Sequence, residues 1–328
     1  YYALLAVIIA TINYRTQMAK IFHLTASRIR PQVNEASKIA FKLSKKWVVF
    51  PLLIATVLIW VTIINMPDDK LHVSILDVGQ GDAILIQTPN RQDIIIDGGP
   101  SPQAIGLELG KKLPFWDRTI DMVILTQPQA DHVTGLIEVL KKYNVSQVIE
   151  PGISYDSITY QHWLNLVNDK EIGHETGHAG QEINLGSEIE IEVLHPPSPL
   201  LQDTSDDIDN NGMVLRLSWN KVSFLFTADI GQEAEWHLIA QRANLQATIL
   251  KVAHHGSLTS TSPEFLASVN PEIAAISVGA NNRFGLPHSQ VLTILSEQLG
   301  NDRVYITPTH GTIEFITDGN RLWIQHDK

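Results

Sequence analysis

Histidine and aspartate side chains stand directly after three apolar runs, where a strand can present them to a cleft. Asp131 and His132 follow the first run, Asp229 follows the second, and His254 and His255 follow the third. The chain has no cysteine, so any ion must be held by imidazole and carboxylate groups, which suit zinc- or manganese-type ions. Such an ion would lower the pKa of bound water to about 7 and make hydroxide available. One cluster alone would more often be structural, but the three together predict a metal-dependent hydrolytic site.

The stretch Asp121–Leu136 must position the first pair of candidates. Its apolar run Met122–Thr126 predicts a buried strand, and a helix is predicted over His132–Tyr143. The tight polar loop between them can hold two adjacent side chains out into a cleft. Two residues of this loop, Gln127 and Gln129, are amides.

Asp97 ends another apolar run and is followed by Gly98 and Gly99. Two glycines let the backbone approach a cleft closely, which would allow Asp97 to orient the groups around an ion. A turn with a capping aspartate is the alternative, and the triplet by itself favours it. The turn Asp77–Asp82 is likewise a plain hairpin turn by itself, although its bare glycine backbone could approach a phosphate.

The pattern of the chain from Leu71 onward is that of a globular α/β domain. Apolar runs separated by short turns predict hairpins first, and runs that alternate with helical stretches follow. Residues 67–328 are therefore predicted to form one domain, and residues 1–66 a separate membrane segment.

The charge of the chain is divided unevenly between these two parts. Residues 1–66 carry eight Lys and Arg against one acid, which leaves 16 bases and 34 acids in the remainder. This asymmetry predicts two environments along one chain. The acidic remainder offers no general basic footprint for nucleic acid. Four lysines could form a local basic patch, but such pairs are usually solvated helix ends; they are Lys111, Lys112, Lys141 and Lys142.

Residues 47–66 form a run of 20 residues without a charge, long enough to span a bilayer as a helix. A buried helix of a soluble protein is the alternative. The apolar residues 1–12 are too short to span and are interpreted as the end of one membrane helix of a longer protein. The basic residues 13–46 show a helical apolar stripe, which fits either the membrane surface or packing on further membrane helices. Basic loops mark the cytoplasmic side of a membrane protein. One crossing of the cell (inner) membrane at residues 47–66 therefore predicts that the globular domain lies on the extracytoplasmic side.

Residues 71–328 resemble the metallo-β-lactamase-like domain at the C-terminus of ComEC, a family of membrane proteins of bacterial DNA internalisation. The resemblance rests on motifs that occur in the family's order: Asp77–Asp82, Ile96–Gly99, Asp131-His132, Leu194–Pro196, Asn210-Asn211, Thr227–Asp229, Leu250–Ser257, Thr259–Ser262 and Asn282–Gly285. It implies an αββα sandwich and metal-dependent hydrolysis of phosphodiesters. It also implies single-stranded DNA, the membrane and the remaining membrane helices of the full-length protein as partners.

The resemblance further implies a ligand set for two ions. His195 and the shared Asp229 would serve the first ion. Asp131, His132, Asp229 and one of His254 and His255 would serve the second. Asp131 and Asp97 are the predicted catalytic residues, with Asp97 orienting the groups around the ion.

Three positions depart from the family's pattern: Gln127 and Gln129 stand at its first ligand positions, and Leu286 stands where a histidine is usual. A neutral amide is a poor ligand for a transition metal, so one zinc or manganese ion, or none, is expected. Two functions remain open. The domain is either a metal-dependent nuclease or phosphodiesterase, or a catalytically degenerate binding or structural module of a DNA-uptake channel.

Overall fold

The computed structural model describes residues 46–64 and 68–328. The chain divides into two compact units, residues 1–66 and residues 67–328. The predictions made for residues 1–12 and 13–46 fall outside the described residues, apart from Lys46.

The first described helix, α1, runs over Lys46–Ile64 and covers most of the predicted membrane span. Its described side chains, at residues 49–60, are all exposed, and large apolar ones such as Phe50 and Trp60 are among them. Within the described part of the chain, no helix is long and apolar enough to cross a membrane. The structure thus does not show the predicted transmembrane helix.

The 67–328 unit is built on two mixed β-sheets. The first has eight strands in the order β15-β14-β1-β2-β3-β4-β5-β6. These strands are β1 (Leu71–Ile75), β2 (Ile84–Gln87), β3 (Asp93–Ile96), β4 (Thr119–Ile124), β5 (Asn144–Glu150), β6 (Gly173–Thr176), β14 (Ile313–Thr317) and β15 (Leu322–His326).

The second sheet has seven strands in the order β13-β12-β11-β10-β9-β8-β7. These strands are β7 (Glu182–Gly186), β8 (Ile189–His195), β9 (Val214–Trp219), β10 (Val222–Phe226), β11 (Ile249–Lys251), β12 (Ile273–Ile276) and β13 (Val304–Ile306).

Helices cover the outer face of each sheet. They are α2 (Pro102–Lys112), α3 (Ala130–Lys142), α4 (Ile158–Asp169), α5 (Gln232–Ala240), α6 (Pro263–Val269), α7 (Ser289–Leu299) and the short α8 (Thr307–His310). The cap of α6 follows its sequence signal, since the Ser262 hydroxyl accepts the Phe265 N–H at 3.2 Å and Pro263 opens the first turn.

Three apolar clusters show the order of the layers. The two sheets enclose one cluster, in which Ile84 and Ile86 of β2 face Phe224 of the opposite sheet. Leu85, between those two isoleucines, packs in a second cluster with the helices that cover the first sheet. A third cluster joins the second sheet to α5, α6 and α7. Because strands alternate their side chains between faces, strands buried on both faces read as continuous apolar runs. The predicted αββα arrangement is confirmed.

The strand predicted over Met122–Thr126 and the helix predicted over His132–Tyr143 match β4 and α3 within a few residues, but three edge strands were not predicted. They are β6, β7 and β15. All four residues of β6 are exposed, and β15 has no residue that is fully buried. Strands of this kind lack the apolar run on which the prediction depends.

Candidate metal centre

The candidate side chains converge at one end of the two sheets. Asp97 follows β3, His132 lies in the first turn of α3 after β4, and Asp229 and His255 follow β10 and β11. β3 and β4 are parallel, as are β10 and β11, so each pair of strands ends at the same edge of its sheet. This is where α/β folds commonly place their ligands.

His132 is held in one orientation by Asp97. Its Nδ1 lies 2.8 Å from Asp97 Oδ2, and Asp97 also accepts the Thr126 N–H at 2.7 Å and the Thr126 hydroxyl at 2.6 Å. All three residues are buried. Because an ionised carboxylate can only accept, His132 Nδ1 carries the proton, and Nε2 is the atom left to face the cleft. Asp97 therefore acts on His132.

His255 is oriented in the same way by a backbone carbonyl. Its Nδ1 donates to the Ser277 carbonyl oxygen at 2.8 Å, and the ring is buried. Its Nε2 is buried without a hydrogen bond to any residue that the structure describes, and it lies 3.3 Å from Asp229 Oδ2 and 3.6 Å from Asp131 Oδ2. A buried ring nitrogen that is held in one tautomer and has no hydrogen-bond partner among the described residues is a candidate ligand for a cation.

Four ligand atoms meet around this point. Asp131, His132, Asp229 and His255 each offer one atom, and these atoms all lie within 4.8 Å of one another. Asp229 is central, because its Oδ2 lies 3.2 Å from His132 Nε2 and its Oδ1 is buried with no hydrogen bond from the described part of the chain. The side chain of Asp131 is 36% exposed and forms the solvent-facing edge. Two imidazoles and two carboxylates at these distances fit one zinc- or manganese-type ion.

The charges of the cluster are strongly interdependent. Burial would lower the pKa of His132 and of His255, but neighbouring carboxylates outweigh it and raise the pKa of both well above the usual range. Burial would likewise raise the pKa of Asp229, but the two imidazoles hold that pKa well below its ordinary value. In the metal-free chain the histidines thus take up protons that a cation must displace.

The backbone around the centre adopts an unusual conformation. Asp97, Ala228, His254 and His255 have φ between 46° and 57°, in the left-handed region that side chains seldom occupy. Backbone of this kind persists where the surrounding structure enforces it, and it is concentrated at functional sites.

Glycine allows α3 to approach the Asp97 turn. Gly98 N–H donates to the His132 carbonyl at 2.8 Å, and Gly135 N–H donates to the Gly99 carbonyl at 2.9 Å. A Cβ at Gly135 would overlap the Gly98 carbonyl oxygen. The two glycines of the Asp-Gly-Gly triplet therefore serve the docking of the helix that carries His132.

Lys251 and Asp82 complete the buried shell, although neither was among the predicted site residues. The Lys251 ammonium forms an ion pair with Asp82, donates to the Ala228 carbonyl at 3.1 Å and lies 3.9 Å from Asp229 Oδ1. Asp82 Oδ1 lies 3.5 Å from His255 Nδ1. The sequence did contain a signal for this pair, because Lys251 stands inside the apolar run of β11 and a fully buried lysine requires an acidic partner.

The two glutamines make internal hydrogen bonds. The Gln127 amide nitrogen lies 3.0 Å from His132 Nε2, and the Gln129 amide donates to Asp209 Oδ1 at 2.7 Å. Burial, followed by the nearby Asp229, raises the pKa of Asp209 to about 6. Asp209 lies in a short 3₁₀ turn, and it was not among the predicted site residues.

Three further positions lie outside the four-residue group. His195 points its Nε2 at the Asn210 carbonyl, 2.8 Å away, and burial lowers the pKa of His195 to about 4. His254 Nδ1 lies 3.3 Å from the Thr259 hydroxyl and 3.8 Å from Asp209 Oδ2. Leu286 has no ligand atom. Of the predicted ligands, the structure brings together Asp131, His132, Asp229 and His255, and it leaves out His195 and His254.

Comparisons with known proteins agree with this architecture. The family model described as Metallo-beta-lactamase superfamily matches residues 76–280. The metallo-beta-lactamase fold protein YhfI from Bacillus subtilis covers 78% of this chain over its full length, with a TM-score of 0.51 and 12% identity. At that identity the likeness shows the fold alone.

One sequence relative is named as a protein of the ComE operon and another as a competence protein. ComE operon protein 3 of Bacillus subtilis (strain 168) is 29% identical over 265 residues, covering 74% of this chain and 33% of that protein. Competence protein ComA of Neisseria gonorrhoeae is 27% identical over 239 residues, covering 69% of this chain and 30% of that protein. The chain spans about a third of the length of these relatives. It belongs to the metallo-beta-lactamase superfamily, as a ComEC-type competence protein with a metallo-beta-lactamase-like domain.

Proposed function

We propose that the domain is a metal-dependent phosphodiesterase that hydrolyses DNA, and that it works with one divalent ion. The observation that carries the proposal is the pair of buried imidazoles, His132 and His255. Each has Nδ1 fixed by an acceptor, and each directs Nε2 toward Asp229. Metal-binding histidines almost always have their second nitrogen fixed in this way.

The residues of the chain divide the work. His132, His255 and Asp229 would hold the ion from the buried side, and Asp131 would close the shell at the solvent edge. When bound, the ion would supply a Lewis acid and a water of lowered pKa. Asp97 and the Ser277 carbonyl keep the two imidazoles in the tautomer that leaves Nε2 free to bind the ion. The Lys251 ammonium, whose charge is balanced by Asp82, lies 3.9 Å from Asp229 Oδ1.

The cellular setting is part of the proposal. Relatedness to a competence protein supports DNA as the substrate, and the single-stranded form follows from the family resemblance of the sequence. The uncharged residues 47–66 support a tether to the inner membrane with the domain on the extracytoplasmic side, and further membrane helices would be partners.

A second function is favoured by the position of Gln127. Its amide nitrogen donates to His132 Nε2 whenever that imidazole is neutral, and it thereby occupies a ligand lone pair. If this hydrogen bond outcompetes a cation, the domain is a DNA-binding or structural module without hydrolytic activity.

Metal content distinguishes the two functions. The chain is incubated with excess Mn²⁺ or Zn²⁺, freed of unbound ion and analysed beside an Asp131→Ala/His132→Ala variant. We expect about one equivalent in the native chain and none in the variant, with metal-dependent cleavage of single-stranded DNA only in the native chain. A negligible metal content in both the native chain and the variant would contradict the proposed hydrolase function. The DNA-binding or structural module would then be the remaining proposal.

A further inference from the structure

The strand directions give the 67–328 unit two distinct ends. β1 is antiparallel to β2, β2 is antiparallel to β3, and β3 is parallel to β4, so β1, β3 and β4 all run the same way. Their carboxyl ends lead to the candidate metal centre. Their amino ends, beginning at Leu71, Asp93 and Thr119, therefore lie together at the opposite end, which we call the far end.

An aromatic pair protrudes from the far end. The loop between α2 and β4 carries Phe115, which is 80% exposed, and Trp116, which is 55% exposed. Their rings meet edge to face, with centroids 4.8 Å apart. Large exposed apolar groups that lie together commonly mark an interaction surface.

The loop that carries this pair is held in place at both ends. Leu113 is buried among the helices that cover the first sheet, and the Asp117 N–H donates to the Pro114 carbonyl at 2.9 Å. The Asn144 N–H donates to the Arg118 carbonyl at 2.7 Å. The fold therefore presents Phe115 and Trp116 on a fixed turn.

A chain of ion pairs connects this turn to the point where the polypeptide enters the domain. Lys112 Nζ lies 2.7 Å from Glu314 Oε2, and Glu314 Oε1 lies 2.8 Å from His72 Nδ1. His72 Nε2 lies 3.0 Å from Asp68, which also pairs with Lys70 at 3.2 Å. These contacts place the end of α2, three residues before Phe115, beside the first residues of β1.

A third aromatic side chain lies beside the same point. The Lys70 ammonium stands 5.1 Å from the centroid of the Trp323 ring, and Trp323 is 39% exposed. Leu322 pairs with Thr317, and Thr317 pairs with Leu71, so the beginning of β15 is also at the far end. Phe115, Trp116 and Trp323, with Lys70 and Lys112, make up the far-end surface.

We propose that the far-end surface lies on a lipid bilayer, with Phe115 and Trp116 inserted among the headgroups. Tryptophan, flanking lysine and exposed apolar rings are the composition of a membrane interface. Along the sequence, only residues 67–70 separate the uncharged residues 47–66 from Leu71, which begins β1 at the far end. The inference rests on the proposed membrane tether in this last respect.

The charges of the far end favour lipid over nucleic acid. Lys112 is paired with Glu314, Lys111 with Glu108, and Lys142 with Glu138. Asp117 and Asp121 lie close to Asp93, where burial and these two carboxylates raise the pKa of Asp93 to about 6. Nucleic-acid binding depends on unpaired cations that neutralise phosphates, and this surface has few of them. The metal centre, at the other end, would then open away from the bilayer.

The absence of cysteine allows a direct test, because one introduced thiol is the only thiol in the chain. Trp116→Cys is labelled with a nitrobenzoxadiazole fluorophore, and the full chain is reconstituted in phosphatidylcholine vesicles. The matched control is Phe284→Cys. Phe284 is also an exposed aromatic residue, at 58%, but its loop packs through Pro287 against Gly256, at the metal-centre end. We expect a blue-shifted emission, quenched by a lipid-borne quencher, for the label at 116 and a water-like emission for the label at 284.

The other outcomes overturn the inference and identify the reason. If the chain floats with the vesicles but the label at 116 has a water-like emission, the proposed tether would stand and the lipid-binding surface would be refuted. Chain that does not float at all would refute both. A shift of the label at 116 that requires oligodeoxythymidine would assign the surface to DNA, and one that grows with protein concentration in the absence of vesicles would assign it to a second copy. Metal content and DNA cleavage are separate measurements, so the hydrolase proposal stands or falls independently.

Discussion

The two halves of the expected two-metal site are built from neighbouring loops but differ in what their polar atoms do. In the half formed by Asp131, His132, Asp229 and His255, ligand atoms converge, and Nε2 of His255 has no hydrogen bond within residues 46–64 and 68–328. In the other half, Gln127, Gln129 and His195 direct polar atoms at His132, Asp209 and the Asn210 carbonyl. One half brings imidazole and carboxylate atoms together around one point. In the other half each side chain uses one polar atom in a contact within the protein, while its second polar atom (Gln127 Oε1, Gln129 Oε1 or His195 Nδ1) is buried without a hydrogen bond to any described residue.

The difference teaches that a histidine near the site is not a metal ligand by virtue of its residue type alone; the orientation of its ring also decides. His132 and His255 are fixed through Nδ1, so Nε2 faces the cluster. His195 is fixed through Nε2, and its Nδ1 is buried without a hydrogen bond to any described residue. The acceptor behind the ring decides which nitrogen is available to a cation.

Asp229→Asn should cause the largest loss. Asp229 faces both imidazoles, and an amide cannot replace its charge, so we expect metal affinity to fall by more than about 100-fold, beyond the effect of changing an outer contact. Isothermal titration with Mn²⁺ measures this, with circular dichroism as a check on folding. Gln129→Ala is the matched control in the other half, and its affinity should be unchanged. Equal losses of metal affinity in the two variants would contradict the assignment of metal binding to one half of the site.

Asp97→Asn tests the contact behind the ligand. The introduced amide would keep a hydrogen-bonding group near Thr126 but would hold His132 Nδ1–H less firmly than the carboxylate does, so metal affinity should drop about 10- to 100-fold. The same titration gives the value. Unchanged affinity would mean that the orientation of His132 does not depend on Asp97.

Gln127→His with Gln129→His should rebuild part of the second half. The exchange removes the amide that lies against His132 Nε2 and adds two imidazoles, so binding should tighten and a second, weaker equivalent should appear in metal analysis. The His195 orientation opposes full recovery, because its Nε2 remains on the Asn210 carbonyl. A double variant that bound no more metal, and no more tightly, would show that positions 127 and 129 do not face the site.

Glu314→Gln should give the smallest effect and should leave the metal centre untouched. Hydrogen bonds from His72 and Lys112 lower the pKa of Glu314 from 4.5 to about 2. A pKa lowered by folding stabilises the folded state above about pH 4.5, and this contribution is lost as the pH falls toward 2. Urea unfolding should show the native chain more stable than the variant near pH 6, by less than about 1 kcal/mol because the network is partly solvated. The gap should close at low pH, and a gap that widened there would reverse the assigned direction.

The sequence predicts much of the fold because the central strands are buried on both faces. Ile94, Ile95 and Ile96 of β3 read as one apolar run for this reason. β6 and β15, at the edges of the first sheet, have exposed faces and were not predicted. A periodicity argument detects burial, so it finds strands in proportion to how deeply they are buried.

The candidate site was predicted as a set of residue types but not as a geometry. Asp131, His132, Asp229 and His255 follow strands, which places them at a common end. The sequence could not choose between His254 and His255, since the choice depends on the Ser277 carbonyl, 22 residues away in the chain. It also missed the pairing of Asp82 with Lys251 across 169 residues. Such contacts are set by the packing of the two sheets.

X-ray absorption of the chain loaded with zinc tests the central claim most directly. The account predicts one zinc with two imidazole ligands and additional oxygen ligands, at distances near 2.0–2.2 Å, and no neighbouring metal. Asp229→Asn should abolish this signature. A metal–metal distance of about 3.5–4 Å, or more than two imidazoles per zinc, would show that the second half also binds and would contradict the account.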